Sequence, residues 1–158
     1  MSEIKTNVMR ILEKKKVAFS AHTYPHGDEA VDGATVAELT GQNPNQVFKT
    51  LITQGASKQY YVFVIPVLCE LDLKKAAKAV GEKSVVMLHV ADLLPLTGYV
   101  RGGCSPIGMK KLFPTVVDAA AQKVATIMVS AGKIGYQVEL APNDLLPLCR
   151  GKYAEVTK

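Results

Sequence analysis

Val47-Phe48-Lys49-Thr50-Leu51-Ile52-Thr53 and Tyr60-Tyr61-Val62-Phe63-Val64-Ile65-Pro66 flank a turn built on Gly55-Ala56-Ser57-Lys58. Both runs are filled with β-branched and aromatic residues, which suit a pleated, buried surface. The turn between them is small and polar. Together they predict an antiparallel hairpin. One residue breaks the pattern. Lys49 lies inside an apolar run, and a buried ammonium needs a partner. Two readings stay open. The lysine either guards an edge strand against aggregation, or faces a cleft where a substrate anion sits.

Working outward towards the N-terminus, residues 4–15 carry Ile4, Val8, Ile11 and Leu12 at helical spacing, and lysines end the run in the sense that suits the helix dipole. Residues 17–23 alternate as a strand. Residues 24–32 are a Pro-, Gly- and Asp-rich turn. Residues 34–39 read as a short helix stopped by Gly41, and Asn43-Pro44-Asn45 opens another turn. Towards the C-terminus, Asp72 is a good N-cap for a helix over 73–80, with Gly81 as its stop. Residues 84–88 are a strand candidate, and 91–94 a short helix halted near Pro95. Residues 115–118, 126–130 and 136–140 are β-type runs. The last two flank a second glycine turn, Ala131-Gly132-Lys133-Ile134-Gly135. Pro142-Asn143-Asp144 opens a last helix to 148, and 153–156 reads as an edge strand. Strands joined by tight turns and interspersed with helices predict an α/β (α+β) domain, a mixed or antiparallel sheet with helices packed on it. No G-x-G-x-x-G follows a strand and no G-x-x-x-x-G-K-[ST] occurs, so nucleotide-cofactor readings lose support.

Thr97-Gly98-Tyr99-Val100-Arg101-Gly102-Gly103-Cys104-Ser105-Pro106-Ile107-Gly108-Met109-Lys110-Lys111 fits neither template. Glycine lets a ligand approach the backbone closely, and successive exposed N–H groups form an anion site. The stretch reads as a binding loop or as a plain multi-turn connection. Cys104 and Ser105 are possible nucleophiles, but no G-x-S-x-G and no local Cys–His signature accompanies them. Ser130-Ala131-Gly132-Lys133 sets a hydroxyl beside glycine and doubles as a hairpin turn.

At 158 residues the chain is expected to be one domain over 1–158. Hydrophobic content of 48% with 21% charged residues excludes a disordered chain. No apolar run approaches the ~20 residues of a membrane span, and Met1 to Arg10 has no signal-peptide core, so the expected location is the cytoplasm. Cys69, Cys104 and Cys149 form neither a disulfide framework nor a zinc pattern. His22, His26 and His89 show no metal spacing either. The net charge of +5 is clustered in Lys14-Lys15-Lys16, in Lys74-Lys75 with Lys78, and in Lys110-Lys111. A phosphate-rich partner fits that clustering. Solvated helix faces fit it too.

Five motifs in order carry a resemblance: Val47-Phe48-Lys49-Thr50-Leu51; Leu71-Asp72-Leu73-Lys74-Lys75-Ala76-Ala77-Lys78; Thr97-Gly98-Tyr99 with Gly102-Gly103; Ser105-Pro106; and Ser130 with Gly132-Lys133. In this order and spacing the chain resembles the YbaK family, from about His22-Thr23-Tyr24 to the last strand. The family is related to the editing domain of bacterial prolyl-tRNA synthetase. The resemblance implies a single editing domain with a mixed, barrel-like β-sheet flanked by helices. It implies an aminoacyl-tRNA deacylase that hydrolyses mischarged Cys-tRNA(Pro) in trans, with no metal or organic cofactor. Prolyl-tRNA synthetase is the implied partner, and neither DNA nor a membrane is expected.

The resemblance also assigns residues. Lys49 would hold the terminal adenosine end of the tRNA. Gly102, Gly103 and Ser105 would form the loop that cradles the aminoacyl carbonyl. Tyr24, Thr50, Gly98, Ser130 and Gly132 would line the substrate site. The implied mechanism is substrate-assisted: the thiol of the bound cysteine attacks its own ester and leaves as a thiolactone. Three departures from the family pattern stand out. Gly27-Asp28-Glu29 comes early in residues 24–39, Cys104 replaces an aliphatic residue, and Ala131 replaces a glycine. The altered 24–39 segment leaves room for a deacylase of Ala- or another small aminoacyl-tRNA. A non-catalytic module that binds a tRNA end or a synthetase is the non-enzymatic alternative.

Overall fold

The computed structural model describes residues 5–24 and 33–158. Two sheets face each other across the main core. The first is antiparallel and three-stranded, ordered β1 (Ser20–Thr23), β7 (Tyr136–Leu140), β6 (Ile127–Ser130). The second is mixed and five-stranded. Its order is β4 (Val85–Met87), β2 (Phe48–Gly55), β3 (Tyr60–Pro66), β5 (Thr115–Asp118), β8 (Gly151–Ala154). The predicted hairpin is β2–β3, in register Phe48 to Pro66 through Gln54 to Tyr60. β3 pairs with β5 and β5 with β8 in parallel, through crossovers that tight-turn signals do not reveal.

The apolar run of β3 is explained by its position at the middle of the sheet. Val62 and Val64 face the inter-sheet core with Phe48, Ile52, Val129 and Val138. Tyr61, Phe63 and Ile65 face the opposite layer. Each such buried side chain contributes ~1.5–3 kcal/mol, so both faces of β3 fix its register. Helix α1 (Asn7–Lys14) closes one end of the inter-sheet core with Val8, Met9 and Leu12. Helix α3 (Leu73–Val80) covers the other face of the five-stranded sheet with Ala76 and Ala77. Its caps are those expected: Asp72 accepts from the N–H groups of Lys74 and Lys75, and Gly81 is left-handed at φ 74°. Helix α2 (Gly33–Thr40) lies outside the seam between the sheets, where Ala37 packs with Val47 and Met128. An isolated parallel bridge, Val47 to Met128, ties the sheets there. The sheets meet without closing into a barrel among the described residues.

Three elements differ from expectation. The first strand is shorter, because Lys16 turns left-handed at φ 58° and the Val17 N–H closes helix α1 on Leu12 O at 2.9 Å. Helix α4 (Val90–Thr97) runs through Pro95 instead of stopping there. A proline costs an interior hydrogen bond, yet only two further residues follow before Gly98, left-handed at φ 85°, donates to Leu94 O at 2.9 Å. The last strand begins at Gly151, where Thr115 opposes it. Beyond Ala154 the chain turns instead to bond Asp118, whose Oδ1 accepts the Val156 N–H at 3.0 Å. Two further elements, helix α5 (Pro142–Leu145) and a following 3₁₀ turn, Leu146–Leu148, divide the last predicted helix. The turn predicted over 24–32, with Gly27-Asp28-Glu29 and His26, falls outside the described residues apart from Tyr24.

Candidate active site at the seam between the sheets

β2 alternates. Phe48, Thr50 and Ile52 look towards the inter-sheet core, with Thr50 opposite Val64. Lys49 is opposite Ile65 and so points to the outer side, where α2 and α3 lie. The Val47–Met128 bridge extends this geometry. Two residues further along each strand stand Lys49 and Ser130, on the faces of Val47 and Met128. Ser130 pairs with Gln137, and Gln137 with His22. Directly opposed residues share a face. His22, Gln137 and Ser130 therefore form one row across three strands, and the isolated Val47–Met128 bridge brings the Lys49 end of β2 alongside it.

The glycine turn after Ser130 is held tightly. Ser130 Oγ accepts the Gly132 N–H at 3.2 Å, and Gly132 takes φ 92°. A Cβ on Gly132 would fall 2.9 Å from Tyr99 Cε1 and 3.2 Å from Val8 Cγ2. A Cβ on Gly103 would fall 3.1 Å from Ile134 N and 3.3 Å from the Lys133 carbonyl carbon. The loop after α4 thus lies directly on the backbone of the Ser130 turn, and glycine at 103 lets it approach that closely. Tyr24 joins the same corner: it is buried, and its N–H bonds Gly135 O at 3.0 Å.

The loop is internally braced. Tyr99 Oη donates to Ile107 O at 2.5 Å, and Thr97 Oγ1 accepts the Tyr99 N–H at 3.0 Å while donating to Leu93 O at 2.8 Å. Lys110 N–H returns to Thr97 O at 3.0 Å. Gly102 takes φ 84° and is half-buried, at the loop's partly open turn. Ser105 is fully buried and its Oγ accepts the Ile107 N–H at 3.2 Å, so its hydroxyl shapes the loop. Burial pushes the Cys104 thiol up to about 12, against a smaller lowering by Thr97. It is therefore protonated at neutral pH and a poor nucleophile. Gly98 is exposed and stacks against the Lys110 stem.

Of the residues singled out in the sequence, Ser130, Gly132, Gly103 and Tyr24 meet at this turn, Gly102 adjoins it, and Lys49 lies on the strand that the Val47–Met128 bridge ties to it. Thr50 projects from the other face of β2. Its Oγ1 is buried with no hydrogen-bond partner among the described residues. Lys49 is half-buried and carries no hydrogen bond or ion pair there either.

The sequence reading missed the polar set around this row. His22 Nε2 and Glu139 Oε1 lie 2.7 Å apart, and Thr126 Oγ1 donates to Glu139 Oε2 at 2.5 Å. These bonds, Thr126 first and then His22, hold the Glu139 carboxyl below its ordinary value. Gln42 Nε2 donates to Gln137 Oε1 at 3.0 Å, and Gln42 Oε1 is buried with no partner among the described residues. The alternation of the strands flanking the glycine turn would have placed Gln137 beside Ser130. Nothing local marks Gln42. No group of three or more His, Cys, Asp or Glu gathers as a metal site among the described residues.

Residues 28–148 match the family model described as an aminoacyl-tRNA editing domain. The chain belongs to that family. Membership agrees with the YbaK resemblance and makes aminoacyl-tRNA the substrate class. A relative from Enterococcus faecalis is 50% identical over 97% of this chain and 93% of its own length. It carries the provisional name Cys-tRNA(Pro)/Cys-tRNA(Cys) deacylase EbsC. Two solved structures share the fold. One is a hypothetical protein, APE2540, at TM-score 0.85 and 21% identity, covering 96% of this chain and 99% of that one. The other is provisionally described as a trans-editing enzyme for prolyl tRNA synthetase, at TM-score 0.82 and 21% identity, covering 99% of each. The editing fold thus accounts for the mixed sheet and flanking helices. No helix among the described residues is long and apolar enough to cross a membrane.

Proposed function

We propose that this protein is a trans-editing deacylase that clears Cys-tRNA(Pro), with Lys49 and the Gly102-Gly103 loop as its working parts. The observation that carries the reading is the near-full-length, 50% identical relative named for Cys-tRNA deacylation. The geometry supports it. Lys49 supplies an ammonium with no hydrogen-bond or ion-pair partner among the described residues, suited to a phosphate at the terminal adenosine. Within the loop braced against the Ser130 turn, the Gly103 N–H is engaged with Val100 O at 3.0 Å, so the neighbouring Gly102 N–H is the backbone donor suited to hold the carbonyl oxygen as charge develops there. Loss of one such donor typically costs ~100–1000-fold in rate. Ser130, Gly132 and Tyr24 shape the surrounding wall, Thr50 supports β2 from its core face, Gly98 ends the helix that leads into the loop, and Ser105 keeps the loop in form.

The only cysteine of the loop is buried and protonated. The reacting sulfur is then the substrate's own. Its thiolate attacks the ester carbonyl, a C–S bond forms, and the C–O bond to the 3′ oxygen breaks. That oxygen takes up the proton, and the amino acid leaves as a thiolactone. This route also supplies selectivity, since pocket size discriminates by only ~1–3 kcal/mol per methylene. Prolyl-tRNA synthetase is the partner that would present the tRNA.

A panel of Cys-, Ala-, Ser- and Pro-tRNA(Pro), incubated with purified protein with and without prolyl-tRNA synthetase, tests the proposal. Cys-tRNA(Pro) is expected to be cleaved fastest. A preference for Ala-tRNA would instead identify the small-aminoacyl deacylase, and no cleavage of any ester would leave a binding module.

A further inference from the structure

A groove of about 400 Å³ lies between helix α3 and edge strand β4, well away from the seam. Lys74, Lys78 and Lys83 rim it together with Ser84, over a floor of Ala77 and Val85. The three ammonium groups have no hydrogen-bond or ion-pair partner among the described residues. Neighbouring lysines differ: Lys75 donates to Thr157 O at 2.8 Å, Lys152 to Ala79 O at 2.6 Å, and Lys158 pairs with Glu70 at 3.3 Å. One carboxylate, Glu82, also lines the groove, but it is turned away. Tyr61 Oη donates to it at 2.6 Å, Ser57 N donates at 3.2 Å, and Ser57 Oγ donates as well. The carboxylate occupies the space a Cβ on Gly55 would fill, 2.3 Å from Glu82 Cδ. These neutral donors hold the Glu82 carboxyl below its ordinary value and anchor it to the β2–β3 turn, so the groove sets three unpaired cations and one anchored carboxylate around an apolar floor.

The groove and the candidate site share one side of the five-stranded sheet. Lys49 opposes Ile65, which packs beneath α3, and Gly55 opposes Val85 in the groove floor. Lys49 and Gly55 are the two ends of this stretch of β2, six residues or roughly 20 Å apart at ~3.3 Å per residue. A few nucleotides of RNA span that distance.

We propose that this groove holds backbone phosphates of the tRNA acceptor arm, upstream of the terminal adenosine. The inference rests on the deacylase reading and adds to it the surface that carries the RNA. Contacts of this kind fix register without reading bases and weaken with salt as counterions are released. They extend the small seam site into a footprint that a free amino acid ester cannot use.

The test compares wild type with Lys74→Ala/Lys78→Ala/Lys83→Ala, and with a control of equal charge loss, Lys14→Ala/Lys15→Ala/Lys123→Ala. All six lysines are exposed. Binding of uncharged tRNA(Pro), read by filter retention across a salt series, reports on the groove independently of any chemistry. The groove variant is expected to bind at least ~10-fold more weakly, with a log–log salt slope smaller by about 2, at ~0.7–0.9 per phosphate contact. The control is expected to stay within ~2-fold. With Cys-tRNA(Pro), KM rises in the groove variant, while turnover of 3′-O-cysteinyl-adenosine matches wild type. Equal weakening in both triple variants, or none in either, overturns the groove. If wild type cleaves no ester, the deacylase reading fails, and the uncharged-tRNA comparison still decides the groove.

Discussion

Gly103→Ala is the sharpest perturbation of the proposed site. Gly103 does not have positive φ, so alanine brings no backbone strain there. Its Cβ instead meets main-chain atoms, at 3.1 Å from Ile134 N and 3.3 Å from Lys133 Cα and carbonyl carbon. These cannot rotate away as a side chain would. The loop must lift off the Ser130 turn by a few tenths of an ångström. Overpacking of this kind costs ~1–3 kcal/mol of stability. A 1 Å misplacement can cost ~100-fold in rate, so a smaller shift of the oxyanion donor should lower kcat by roughly 10-fold, about 1.4 kcal/mol of barrier. KM for Cys-tRNA(Pro) should change little, because the Lys49 contact is untouched. Single-turnover deacylation gives the rate and urea unfolding the stability. A destabilised variant that cleaves at the wild-type rate would refute the assignment of this loop to the reacting carbonyl.

Other substitutions separate the remaining roles. Lys49→Ala removes an ammonium with no partner among the described residues, so stability should stay within ~0.5 kcal/mol while deacylation falls by ~100-fold or more; full activity would remove Lys49 from the site. Cys104→Ala should keep at least about half the activity, since burial pushes that thiol up to about 12 and its thiolate is scarce at neutral pH. Complete loss in a folded variant would hand the nucleophile's role to Cys104. Glu139 has a depressed folded pKa, so its stabilisation is present above the ordinary 4.5 and fades as pH falls through the lower folded value. Urea midpoints from pH 7 to 3 should therefore fall less steeply in Glu139→Gln than in wild type, and parallel curves would show that the Thr126 and His22 bonds are immaterial. Gly132→Ala combines φ 92° with a Cβ 2.9 Å from Tyr99 Cε1 and should cost ~2 kcal/mol or more, seen as a lowered thermal midpoint; an unchanged midpoint would mean that Tyr99 does not brace the turn.

Much of the fold was readable where local chemistry decides it. The β2–β3 hairpin follows from two β-rich runs around Gly55, and α3 from Asp72 and Gly81. The parallel placement of β5 and β8 was not readable, because those pairings join segments separated by crossovers and depend on which buried faces match. Pro95 misled by the opposite route: the helix runs through it to Thr97 despite the lost bond to the preceding turn, so the local penalty was outweighed. The site was legible as separate motifs, each with a bland alternative. Not readable from local sequence are the contact of Gly103 with Lys133 and Ile134 and the Val47–Met128 bridge that ties the Lys49 strand to the Ser130 strand. His22 was weighed only as a metal ligand, and its place in the row depends on the register of β1 with β7. Gln42 acquires meaning only through its bond to Gln137.

The claim that the substrate's own thiol does the chemistry is tested most directly by comparing Cys-tRNA(Pro) with Ser-tRNA(Pro) and S-methylcysteinyl-tRNA(Pro), while trapping the first product. The account predicts rapid loss of the cysteinyl ester with a thiolactone as first product, and cleavage of the other two slower by ~100-fold or more. Comparable cleavage of all three, with free amino acid as the first product, would contradict it.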